Sequence, residues 1–96
     1  MRLHKLKTWP EYFAALLRGD KTFEVRRDDR SYDVGDVLHL VEWDPTEQDE
    51  LTRRSVGETG RVLRAVISYK VPGGRFGIGP EMCVLGLRDV RELLDK

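Results

Sequence analysis

At 96 residues, with 17 Lys and Arg matched by 17 Asp and Glu, the chain has the length of one domain and no net field to draw a polyanion from a distance. That balance excludes the globally basic class of nucleic-acid binder, so any such contact must rest on a local patch. The single cysteine, Cys83, excludes an internal disulfide, and no apolar run reaches the roughly 18 residues of a membrane helix. The opening MRLHKLKTWPE lacks the apolar centre of a signal peptide. One cytoplasmic domain over residues 1–96, with no membrane contact, is the expectation.

In chain order, Arg2 to Lys7 reads as a first strand. Thr8 and Glu11 then stand at the spacing of a capping box, with Pro10 tolerated in a first helical turn. Trp9, Phe13, Leu16 and Leu17 recur at i, i+4, i+7 and i+8, which predicts one apolar face of a helix from about Trp9 to Arg18, and Gly19 is placed to end it. A strand from Thr22 to Arg27 follows, then a charged loop from Asp28 to Asp33 and a turn at Val34-Gly35-Asp36. Val37 to Trp43 is apolar enough to be a strand buried on much of both faces. Asp44 to Gly57, with Pro45 and an acidic run, reads as a solvated hairpin excursion. A long strand runs from Thr59 or Gly60 to Lys70. The stretch VPGGRFGIGP, residues 71–80, is rich in turn formers and reads as a functional lid or, preferred, as a glycine-rich connection whose Phe76 plugs the end of the barrel. Met82 to Leu87 closes the sheet. Asp89 and Glu92 sit at capping-box spacing, so a short C-terminal helix is expected.

The strand after Gly19 carries a candidate site. Residues alternate from Thr22 to Arg26, so Phe23 and Val25 are expected to face the core while Thr22, Glu24 and Arg26 share the other side. Lys21, at the mouth of the strand, can swing its ammonium to that same side. The bland alternative is the solvated face of an antiparallel sheet, where an exposed Glu and Arg contribute about 0–1 kcal/mol.

Gly19-Asp20-Lys21-Thr22-Phe23-Glu24-Val25-Arg26 followed by Val34-Gly35-Asp36-Val37 resembles the G-x-K-x-x-E-x-R and later G-D signature of ASCH domains, members of the PUA-like superfamily of small β-barrels. The opening segment from His4 to Gly19, with Trp9-Pro10-Glu11-Tyr12-Phe13, is similar to a small ASCH-related family in bacteria and phages. The resemblance implies a mixed α/β (α+β) fold: a PUA-like small β-barrel of five or six strands with the Trp9 to Arg18 helix packed across one opening. It also implies a cleft between helix and sheet that takes a nucleobase or nucleotide, with His4 near it.

Three functions are open on this reading. The first is an RNA or modified-nucleotide binding domain: Lys21 and Arg26 suit phosphate or a base edge, Glu24 accepts from exocyclic amino groups, and Trp9, Tyr12, Tyr32 or Phe76 can stack on a base, with Tyr32 in its charged loop expected to be the exposed ring. The second, implied by resemblance to ASCH-like amidohydrolases of acetylated cytidine, makes Lys21 a base and Glu24 a proton carrier. In those proteins a threonine nucleophile stands where this chain has Glu24. The third is an interaction domain in which the cluster is only a solvated strand face. No cofactor is expected, and no metal site either, since His4 and His39 are the only histidines and neither has a partner at ligand spacing.

Overall fold

The computed structural model describes residues 1–46 and 57–94. The chain runs β1 (Leu3–Thr8), α1 (Pro10–Arg18), β2 (Phe23–Arg27), β3 (Val37–Trp43), β4 (Glu58–Pro72) and β5 (Met82–Leu93). All five strands join one sheet in the order β1-β3-β4-β5-β2, with β1 parallel to β3 and every other neighbour antiparallel. The fold is α+β, a curled half-barrel sheet with one short helix. Most of the Asp44–Gly57 excursion lies outside the described residues.

The sheet curls because its inner face is apolar and is covered, among the described residues, by one short helix and the ring of Tyr32. Leu6, Leu38, Leu40, Leu63, Ala65, Ile67, Leu85 and Leu87 form that face, and Phe13 and Leu16 of α1 seal it from above. Alternation keeps this set on one side. Gly19 ends the helix in the left-handed conformation at φ 82°, its N–H reaching back to the last turn.

Curling brings the two edge strands, β1 and β2, face to face without pairing them. Arginines fill the gap: Arg26 Nη2 donates to the carbonyl of Lys7 at 2.5 Å, and Arg30 Nη1 to that of Lys5 at 3.3 Å. Arg2 Nη2 donates across the same side to the carbonyls of Arg30 and Ser31. Open carbonyls of an edge strand invite a further strand. Here guanidinium groups occupy them instead.

Several local expectations give way to pairing. Thr8 is the last residue of β1 and caps nothing; Trp9 stands at the N-cap with no side-chain hydrogen bond, and Pro10 opens the helix. The expected C-terminal helix is strand: β5 continues to Leu93 because the first half of β4 offers backbone partners from Val62 to Val66, and Asp89, at φ 53°, sits where the register shifts between Arg64 and Val66. Phe76 plugs nothing. It is 87% exposed at φ 54° on the loop after β4.

That loop is closed by Gly74 N–H to Ile78 O (2.8 Å) and Met82 N–H to Gly79 O (3.0 Å). A Cβ on Gly73 would lie 2.1 Å from the carbonyl oxygen of Gly79 and 2.4 Å from that of Met82. Backbone cannot yield as a side-chain tip does, so Gly73→Ala is expected to destabilise the protein by about 1–3 kcal/mol. Urea denaturation reads this as a lower midpoint at unchanged slope.

Candidate functional site

Strand β2 has the expected alternation with its faces reversed. Glu24 is 3% exposed, whereas Phe23 and Val25 are 43% and 50% exposed. The period of two decides which residues share a face but not which face turns inward. Inward on β2 means toward the gap beneath the start of α1, where a carboxylate is tolerable only with partners. Two are supplied from the same octapeptide: Lys21 Nζ donates to Glu24 Oε1 at 2.6 Å and Arg26 Nε donates to Oε2 at 2.8 Å. Lys21, Glu24 and Arg26 are thus brought together. Thr22 is not; it is exposed and contributes its backbone carbonyl to Leu87 N–H at 2.9 Å.

The triad lies in a cleft of about 590 Å³. Lys7 and Thr8 of β1 form one lip, Phe23, Val25 and Arg26 of β2 the other, and Trp9 and Tyr12 rise at the helix end. Trp9 and Tyr12 stack with centroids 6.1 Å apart and planes 15° from parallel. Lys21 Nζ sits 5.0 Å from the centre of the Tyr12 ring and 5.4 Å from that of Phe23, a cation held between two π faces. The aromatic expectation is therefore corrected. Trp9, on the expected core face, is half exposed because the residue before an N1 proline stands outside the helical turns, and Tyr12 faces the cleft.

Tyr32 and His4 belong elsewhere. Tyr32, expected to be the exposed ring, is 2% exposed and meets the edge of His4 at a centroid distance of 4.8 Å. Burial pushes its phenol above the ordinary value. His4 Nε2 lies 2.9 Å from Asp36 Oδ2. A carboxylate only accepts, so Nε2 carries the proton. Asp36 also accepts from the N–H groups of Arg2 (2.9 Å) and Asp33 (3.1 Å), and its carboxyl is lowered to about 2, chiefly by the His4 hydrogen bond. This cluster ties β1, the 33–36 turn and β3 together. Neither His4 nor Tyr32 lines the cleft.

Sequence reasoning missed Lys7, Thr8, Phe23 and Val25 as lining residues. The signal for the last two was their place in a strand whose charged partners neutralise one another. Cys83 is buried, and burial raises its thiol, consistent with an inert core residue. Among the described residues no group of three or more His, Cys, Asp or Glu is placed to hold a metal ion, and no helix is long and apolar enough to cross a membrane.

Comparison with known proteins yields a relative in Escherichia phage P2, described as "Uncharacterized 12.9 kDa protein in GpA 3'region", which is 43% identical over 42 residues. That stretch is 44% of this chain, and the chain spans 38% of the relative's length. A family match covers residues 3–87, from the first residue of β1 into β5 and across the whole cleft, and by it the chain belongs to the family described as "Domain of unknown function (DUF3850)".

Proposed function

We propose that the chain is a PUA-like domain of ASCH type that binds RNA or a modified nucleotide, taking one unpaired base into the β1–β2 cleft. The observation that carries this reading is a buried carboxylate, Glu24, clamped by two cations at the floor of an open, aromatic-walled cleft. A nucleotide needs a flat apolar surface to stack on, an acceptor for exocyclic amino groups and a cation for phosphate. Trp9 and Tyr12 offer the first. Glu24 offers the second, because a carboxylate accepts about four hydrogen bonds and Lys21 and Arg26 take one each. Arg26 offers the third: its Nε and Nη2 are engaged, leaving other N–H groups of a five-donor guanidinium.

The alternative amidohydrolase needs Lys21 to present a lone pair, whereas its Nζ is engaged as a donor to Glu24. Fluorescence anisotropy with short single-stranded RNA at low salt tests the reading. The expected result is binding that is weakened by Trp9→Ala and competed by mononucleotides. Absence of binding to any RNA pool would overturn it in favour of an interaction domain. Acetate release from acetylated cytidine by the wild type, lost in Lys21→Ala, would put the enzyme first.

A further inference from the structure

The outer face of the sheet, away from α1, carries an arrangement that the cleft does not explain. Lys5 on β1 is registered opposite His39 on β3, His39 opposite Arg64 on β4, and Arg64 opposite Arg91 on β5. Directly paired residues share a face. Their chain neighbours Leu6, Leu38, Leu40, Leu63 and Ala65 are all in the core, so the four basic residues point the other way. Three inter-strand steps of 4.7–4.9 Å make this a row of about 14 Å. Among the described residues none of the four has an acidic partner. Arg64 and Arg91 are like charges placed directly opposite, which destabilises a sheet, and a chain with as many acids as bases had the means to avoid it. Around Arg64 and Arg91 the only acid lining the surface depression is Asp89, which is paired with Arg88.

We infer that this row is a track for the phosphodiester backbone of a single-stranded RNA, laid across four strands on the outer face of the half-barrel. Choosing RNA as the occupant rests on the reading of the cleft. The link is β1: its Lys7 lines the cleft, and its Lys5 opens the row one strand pleat away. A strand with one base in the cleft crosses the β1 edge and meets Lys5, His39, Arg64 and Arg91 in turn. Charge supports the same path. The Lys21–Glu24–Arg26 triad carries a net single positive charge and Lys7 on the lip a second, so binding confined to the cleft gives a salt slope of about 1.4. Adding Lys5, Arg64 and Arg91 raises the slope by roughly 2, by about 0.7 for each phosphate neutralised.

The experiment is the dependence of RNA affinity on salt, measured by anisotropy for wild type, for the Lys5→Gln/Arg64→Gln/Arg91→Gln triple variant and for Trp9→Ala. Removing mutually repelling surface charges leaves the fold intact, so the triple variant should melt no lower than wild type. Expected is a fall in its slope of roughly 2, with low-salt affinity down on the order of tenfold to a hundredfold, while Trp9→Ala weakens binding with the slope unchanged. A triple variant that keeps the wild-type slope overturns the track and leaves the cleft reading standing. A lost slope in the triple variant with no effect of Trp9→Ala instead supports the track and removes the cleft. A poly-glutamate peptide serves as the competing polyanion: displacement of RNA at equal charge concentration would make the row a site for acidic protein segments and overturn the assignment.

Discussion

Asp36→Ala is expected to cost about 2–4 kcal/mol, from one buried donor left wholly unpaired and two half-buried ones deprived of their acceptor, a large share of the stability of a small domain, which is commonly about 5–15 kcal/mol. The carboxylate is 3% exposed and is the common acceptor for His4 Nε2 and for the N–H groups of Arg2 and Asp33. Truncation therefore leaves the buried His4 donor without an acceptor and removes the partner of two half-buried backbone N–H groups. It also frees the start of β1 from the turn that leads into β3. Urea denaturation should show a midpoint shift at constant slope. Asp36→Asn, which keeps the shape but offers one acceptor atom, should lose less. The pH dependence separates the charge from the packing. Asp36 has its carboxyl lowered from 3.8 to about 2 in the folded protein. A depressed folded value stabilises the protein above pH 3.8 and ceases to do so as pH falls through about 2, a contribution of roughly 2 kcal/mol. Wild type should lose that increment across this window. An Asp36→Asn variant whose acid limb over the same window matched wild type would show that another carboxylate sets it.

The octapeptide from Gly19 to Arg26 shows which parts of such a site a sequence can specify. The partner set was legible, because a carboxylate with a Lys three residues before it and an Arg two residues after it has its neutralising charges within reach of one strand face. The side was not. Phe23 and Val25 are the apolar members of the alternation, yet they are exposed because β2 is an edge strand whose inner side looks into the gap beneath α1, away from the leucine-rich centre. Only the position of β2 in the sheet, set by its pairing with β5, decides this. The same distinction runs through the rest of the chain. The strand Val37–Trp43 has the bounds its sequence predicts, since continuous apolarity on both faces needs no partner to be recognised. Residues 88–93 satisfy a helix-capping pattern and a strand equally well, and the length of β4, whose Val62 to Val66 stretch offers backbone partners, chose strand. Tyr32 sits in a charged loop and is nevertheless core, because the loop folds its ring onto His4.

Glu24→Gln is expected to separate the two things the cleft does for a nucleotide. The amide still accepts through one atom, but it cannot take bonds from both Lys21 and Arg26 and an exocyclic amino group as the carboxylate can. Preference for one base over another should fall by about 1–3 kcal/mol, the cost of an unmet polar group in a closed contact, which is roughly tenfold to a hundredfold in relative affinity. Phosphate attraction moves the opposite way. With the countercharge gone, Lys21 and Arg26 raise the net charge of the triad from one to two, so the salt slope for RNA should steepen by about 0.7. Stability should fall by roughly 2 kcal/mol, less than for a fully buried pair because both cations reach solvent, their side chains 17% and 22% exposed. Anisotropy titrations with homopolymer RNAs at several salt concentrations read selectivity and slope together. Loss of selectivity with a steeper slope is the expected pair of changes. Unchanged selectivity among the four bases, with the stability loss intact, would make Glu24 a structural clamp for the edge strand and move base recognition out of this cleft.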